Sequence, residues 1–98
     1  MAIESFCYPP FVFESPLDLM RFVSDFPPND AGILLEVGHL HQAGLNLDEA
    51  IQTFRTRLLD VHIHDATTQK DFKKATDLPI GTGSINFKKL IQNLRRAG

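Results

Sequence analysis

The sequence predicts an α/β protein with a parallel sheet, and two observations lead to that prediction. Residues 31–39 (AGILLEVGH) and 58–64 (LLDVHIH) are apolar runs of strand length, as in strands that are buried on both faces. Segments with apolar residues at helical spacing alternate with these runs along the chain. Strands that alternate with helices indicate a parallel sheet joined by right-handed crossovers.

The N-terminal half is predicted to contain a short strand and then a helix. The short apolar stretch ends at Glu4. A helix is expected to start at Ser15 and Pro16, because serine caps a helix and proline fits its first position. Pro27 and Pro28 cannot continue a helix, so it ends before them.

Two further helices are predicted after the apolar runs. Residues 46–49 repeat the capping pattern, so a second helix begins there and separates the two longer strands. A loop covers 65–83 and is followed by a last helix with apolar residues at helical spacing. Gly81 and Gly83 indicate a turn before this helix, and the alternative is a phosphate cradle on its first amides.

Composition narrows the class of protein. The 98 residues allow one small domain. The net charge of −2 gives no electrostatic reason to expect binding to nucleic acid or to a membrane surface. The one basic cluster is interpreted as a solvated face; it consists of Lys70, Lys73 and Lys74. Cys7 is the single cysteine, so an internal disulfide is excluded. Its side chain is expected to be a small apolar group that is buried or half-buried. No segment resembles a signal peptide or a membrane span, so a cytoplasmic protein is expected.

All four histidines lie at or just after the ends of the two apolar runs. Residues two apart in a strand share a face, so Asp60, His62 and His64 are expected on one face of the second run. The apolar residues between them are expected to pack under helices on the other face; they are Leu59, Val61 and Ile63.

Polar residues at the carboxyl ends of neighbouring parallel strands indicate a ligand site. Two carboxylates and two imidazoles could bind a divalent ion such as manganese, zinc, cobalt or magnesium, and the candidate ligands are Glu4, Glu36, His39 and His62. Asp65 is a candidate acceptor for the second nitrogen of a ligating imidazole. His41 and His64, each taken alone, also fit ordinary solvated or hydrogen-bonded side chains.

Four phrases in order resemble the second half of the xylose isomerase-like barrels, the superfamily of sugar phosphate isomerases/epimerases and endonuclease IV. They are GILLEVGHLHQAGLNLDEAI (32–51), RLLDVHIHDAT (57–67), DLPIGTGSINFKKLI (77–91) and LRRAG (94–98). The resemblance implies a partial (β/α)8 TIM barrel, roughly strands five to seven with their helices. Residues 1–98 would then form a single incomplete barrel domain that lacks the final strand.

The resemblance also implies roles for individual residues. Glu4 would be a metal ligand and one of two carboxylates that move protons on a ketose or aldose. Glu36 and His62 would be metal ligands, and His39 would contact the metal or the substrate. The remaining residues expected to contact a sugar or sugar phosphate are His41, His64 and Asp65. Because the second proton-moving carboxylate has no counterpart here, we expect a truncated chain with weak or no isomerase activity alone.

The resemblance has departures, and other functions remain open. Relatives usually carry aspartate where this chain has Glu36. Ala75 and Asp77 stand where the nuclease branch has ligands for additional metals, which disfavours phosphodiester cleavage of DNA. A further alternative is a non-catalytic piece that associates with itself or with a complementing half-barrel through its outer strands.

Overall fold

The structure, a computed structural model, describes residues 1–5, 15–67 and 78–98. The elements in chain order are β1 (Ala2–Glu4), α1 (Pro16–Ser24), β2 (Gly32–Glu36), α2 (Val37–Gln42), α3 (Leu47–Phe54), β3 (Leu58–His62) and α4 (Phe87–Ala97). The predictions for Cys7, for the lysine cluster, and for Ala75 and Asp77 lie outside the described residues. Within the described ranges, every helix is too short or too polar to cross a membrane.

The three strands form one parallel sheet in the order β1-β2-β3, which confirms the predicted α/β class with a parallel sheet. Glu4 pairs with Leu34 across the first strand pair, and Glu36 pairs with His62 across the second. Strands of this kind are consistent with part of a TIM barrel. The carboxyl ends of β2 and β3 therefore meet at one rim of the sheet.

The core lies between β2 and the helices. All five residues of β2 are buried, and Ile33 and Leu35 join α1 and α3 in one apolar cluster that includes Leu19, Ile51 and Phe54. The predicted helix starts are confirmed, because Ser15 caps α1 and Asn46 caps α3 by accepting backbone N–H bonds. Capped helices thus pack one face of the central strand.

The second strand is shorter than the sequence predicts. Extended structure stops at Glu36, and Val37 begins the six-residue helix α2, which carries His39 and His41. The predicted strand, bounded by Gly32 and Gly38, is therefore one residue too long at Val37, and the helix that follows it was not predicted. Val37 and Leu40 are both fully buried, because residues three apart lie on the same side of a helix. In the sequence, the same apolar residues also fit a strand that continues.

The predicted alternation along the third strand is also wrong in part. Ile33 pairs with Leu58 but Leu34 pairs with Asp60, so β3 carries one extra residue at this point. Leu58 and Val61 pack against the core, whereas Leu59 is 61% exposed. The strand ends at His62, and Ile63 beyond it is 44% exposed. An irregular register moves side chains to the other face, and no periodic pattern in the sequence reveals it.

Candidate metal centre

The centre of the candidate site is Glu36, the last residue of β2. It is only 6% exposed, and its backbone N–H donates to the hydroxyl of Ser5 at 2.8 Å. Ser5 is itself fully buried, and its own N–H donates to the carbonyl of Leu34 at 3.0 Å. Ser5 thus ties the end of β1 to the backbone that carries the carboxylate. Sequence reasoning missed Ser5, because a single serine after a strand has no distinguishing pattern.

Three imidazoles surround the Glu36 carboxylate. His62 Nδ1 lies 2.7 Å from Oε1, His64 Nε2 lies 3.1 Å from Oε2, and His39 Nδ1 lies 3.9 Å from Oε2. The side chains of His39 and His64 are largely buried, and their rings meet edge to face with centroids 5.2 Å apart. Imidazoles from α2, from β3 and from the segment after β3 therefore converge on the buried carboxylate at the end of β2.

Gly38 makes room for one of these rings. A Cβ atom at this position would lie 2.2 Å from both Cε1 and Nδ1 of His64, far inside van der Waals contact. Only a residue without a side chain lets the His64 ring rest on the first turn of α2 and reach Glu36. Gly38 is thus a packing requirement of the site.

Ligand atoms of Glu36, His39 and His64 all lie within 4.8 Å of one another, a group that could hold a metal ion. Metal–ligand bonds of about 2.0–2.1 Å in tetrahedral geometry separate neighbouring ligand atoms by roughly 3.3 Å. The two distances from Oε2, 3.1 Å and 3.9 Å, bracket that separation. One carboxylate and two imidazoles are also a donor set that suits zinc, cobalt or manganese. The residues present fit a divalent ion.

The other two predicted ligands lie differently. His62 contacts Glu36, but its side chain is 52% exposed and it is outside the group of three. Glu4 is exposed and pairs with Leu34, so it lies two residues, about 7 Å along the strand, short of the level of Glu36. His64 was predicted to contact substrate. In the structure it is the third member of the candidate metal-binding group, with Glu36 and His39.

His41 follows His39 by two residues on α2 and lies outside this group. Its Nε2 is 2.7 Å from the hydroxyl of Ser84, and it forms part of the wall of a pocket of about 200 Å³ between the first turns of α3 and α4. Burial lowers the pKa of the His41 imidazole, and the nearby Asp65 carboxylate offsets only part of that shift. At neutral pH the ring is therefore mostly uncharged, and it connects α2 to the loop before α4.

Asp65 is fully buried and organises that loop. Its carboxylate accepts backbone N–H bonds from Ala66, Gly81, Gly83 and Ile85 at 2.9–3.3 Å. Burial by itself would raise the pKa of this carboxyl, but the four amide bonds outweigh burial and leave the pKa below its ordinary value. Among the described residues, the hydrogen bonds of this carboxylate all come from backbone amides, whereas an imidazole or a substrate was predicted as its partner. The two glycines form the predicted turn, with their amides directed at Asp65.

Comparisons with known proteins agree with this architecture. The uncharacterized protein MJ1311 of Methanocaldococcus jannaschii is 30% identical over 86 residues, which is 86% of this chain and 28% of that protein. The chain thus spans less than a third of the length of this relative. No solved structure matches the chain significantly. The profile of the family described as xylose isomerase-like TIM barrel matches residues 1–98. The chain therefore belongs to the xylose isomerase-like TIM barrel family.

Proposed function

We propose that this chain supplies the divalent-metal ligands and one proton-transfer carboxylate of a sugar or sugar phosphate isomerase/epimerase. The observation that carries the proposal is the buried carboxylate of Glu36 with two imidazole nitrogens within 4.8 Å, at the carboxyl rim of a parallel sheet. Family membership supports the same conclusion, because the sequence family is that of xylose isomerase-like barrels. In barrels of this kind, ligands bind at the carboxyl ends of the strands.

Glu36, His39 and His64 would hold the metal. When bound, a divalent ion polarises a substrate carbonyl and so acidifies the proton on the adjacent carbon. Each imidazole must present an unprotonated nitrogen to the ion, so protons compete with the metal for these nitrogens, and the Nε2 of His64 that now faces Glu36 must carry no proton when it binds. The affinity for metal should therefore rise with pH through the range in which histidine loses its proton.

Glu4 is our candidate for the base. It is exposed and lies one strand away from Glu36, on the same face of the sheet as Leu34. A carboxylate at this place could remove a proton from the carbon next to a ketose carbonyl. A single carboxylate is enough for exchange of that proton with solvent, whereas completing an isomerisation needs a group that returns the proton elsewhere.

Titration of the 98-residue chain with Co²⁺, followed by its visible spectrum, tests the metal site. We expect saturable binding by the natural chain and loss of that binding in Glu36→Gln, which keeps the shape of the side chain and removes its charge. Asp60→Asn is the matched control, because it neutralises an exposed carboxylate on the neighbouring strand outside the group of three. Equal Co²⁺ affinity of the natural chain and Glu36→Gln would contradict the proposal.

Exchange of a ketose proton in D₂O, followed by NMR in the presence of the metal, tests the role of Glu4. We expect slow deuterium incorporation next to the carbonyl, and its loss in Glu4→Gln. Exchange that persists unchanged in Glu4→Gln would remove Glu4 from the mechanism without affecting the metal site.

A second function, association with another copy of the chain, is favoured by a different observation. Leu59 is 61% exposed on the outer strand β3, and Ile63 just beyond the end of the strand is 44% exposed. Outer strands with exposed apolar side chains favour pairing with another chain. Light scattering after size exclusion should show a dimer that Leu59→Lys dissociates. A monomer at high concentration would rule this function out.

A further inference from the structure

Three helices lie side by side over the sheet, with α3 in the middle. α3 packs against α1 and also against α4. The strands have the same arrangement, because β2 lies between the outer strands β1 and β3. α1 and α4 are therefore the end helices, and each of them has one side that is turned away from α3.

The side of α4 that is turned away from α3 is apolar and basic. Lys89 and Asn93 both contact the same aspartate on α3, so they mark the side that faces α3. Ile91 is two residues from each of them, which places it about 160° around the helix from both, and it is 43% exposed. Lys88 and Arg95 are exposed and lie within about 60° of Ile91. These two cations and Ile91 form the open side of α4.

The corresponding side of α1 is apolar and acidic. Met20 on one flank of α1 packs against the core, whereas Phe22 on the opposite flank is 42% exposed. Asp18 and Asp25 lie within about 60° of Phe22 around the helix. Arg21, the basic residue of this helix, lies about 100° from Phe22 and is directed away from that flank. The two carboxylates and Phe22 form the open side of α1.

The two open sides match in spacing and are opposite in charge. The two carboxylates on α1 are seven residues apart, and so are the two cations on α4, which is about 10.5 Å along either helix. Phe22 lies between the two carboxylates, and Ile91 lies between the two cations. None of these four charges forms an ion pair with a described residue. Helices docked side by side would bring each carboxylate opposite a cation while Phe22 contacts Ile91.

We propose that the open side of α4 docks on the open side of α1 of a second copy of this chain. Charge selects the partner, because two α4 sides or two α1 sides would repel each other. The apolar pair supplies surface that leaves water, and the ion pairs align the helices. Different surfaces of the two copies meet, so the contact is heterologous. The inference rests on the association with a second copy proposed above, and it assigns that association to the end helices.

Charge reversal on one helix at a time tests this docking. Asp18→Lys with Asp25→Lys makes both open sides basic, and Lys88→Glu with Arg95→Glu makes both acidic. We expect the dissociation constant of each variant alone to rise by about tenfold or more, measured by sedimentation equilibrium. An equimolar mixture of the two variants should associate again, because every docked pair then has one basic and one acidic side.

A neighbouring residue on α4 provides the matched control. Arg96→Glu makes the same change in charge as Arg95→Glu, but Arg96 lies about 140° around the helix from Ile91. We expect Arg95→Glu to weaken association and Arg96→Glu to leave it unchanged. Salt gives a second readout, because screening should weaken association of the natural chain and strengthen that of either double variant.

The outcomes distinguish this docking from association in general. Double variants that associate as the natural chain does would overturn the docking of α4 on α1 and leave association through β3 intact. A mixture that stays monomeric, although both variants keep the helical circular dichroism of the natural chain, would also overturn it. If a double variant unfolds, equal association of Arg95→Glu and Arg96→Glu refutes the docking. A natural chain that is monomeric at high concentration rules out the association itself, and this inference fails with it.

Discussion

Replacement of Gly38 by alanine should lower the metal affinity and leave the free energy of unfolding nearly unchanged. The new methyl carbon would lie 2.2 Å from two atoms of the His64 ring, where carbon contacts need about 3.5–4.0 Å. The ring must therefore move by more than about 1 Å. The His64 Nε2–Glu36 Oε2 contact, now 3.1 Å, would then exceed hydrogen-bonding distance.

The two expected effects of Gly38→Ala have opposite signs. Alanine in place of glycine within a helix stabilises by roughly 0.5–1 kcal/mol, and Gly38 lies within α2. A displaced His64 side chain costs about 0.5–1.5 kcal/mol if it leaves its preferred rotamer. We therefore expect the free energy of unfolding to stay within about 1 kcal/mol of the natural value. Metal affinity should fall by at least the roughly 10–100-fold that follows loss of an outer partner, because here a ligand is displaced.

Urea unfolding at pH 7 and Co²⁺ titration measure the two effects on the same samples. Gly44→Ala is a matched control at the end of the same helix, where φ is +81° and no atom lies within 4 Å of the added carbon. This control should lose about 1 kcal/mol of stability and keep its metal affinity. In a His64→Ala background, Gly38→Ala should cause no further loss of affinity. A further loss there, or unchanged affinity of the single variant, would refute the reasoning.

Three other substitutions test hydrogen bonds that link separate segments of the fold. Asp65→Asn should lower the free energy of unfolding by about 2–4 kcal/mol, because its amide group would face two of the four backbone N–H donors. The folded pKa of Asp65 lies below the ordinary value of 3.8, so its contribution is present above that value and is lost as the pH falls through the folded pKa. Acid unfolding curves should show this loss in the natural chain and not in Asp65→Asn. Ser5→Ala should cost about 1–2 kcal/mol in urea, since the buried N–H of Glu36 loses its acceptor, and a smaller cost would show that water replaces the hydroxyl. Arg57→Lys should cost about 1.5–3 kcal/mol by thermal unfolding, because the guanidinium donates to three carbonyl oxygens that one ammonium group cannot reach together, and an unchanged melting temperature would contradict this.

Local patterns in the sequence predicted those parts of the fold that depend on neighbouring residues. The helix caps at Ser15 and Asn46 could be predicted from the sequence, because capping depends on a side chain and a backbone amide two or three residues apart. The parallel sheet was predicted from two continuous apolar runs. The expected burial on both faces holds for β2 but not for β3, which is partly exposed. The end of β2 at Glu36 could not be predicted from the sequence, because the apolar residues Val37 and Leu40 fit a buried strand as well as a buried helix.

The candidate site shows the same division. The order of strands and helices was enough to predict that carboxylates and imidazoles collect at one rim of the sheet, where parallel strands end. Which imidazoles contact Glu36 could not be predicted, because it depends on an extra residue in β3, on the turn of α2 and on the space above Gly38. These features depend on contacts between segments far apart in the chain. The periodic pattern of one segment does not specify the surface against which that segment packs.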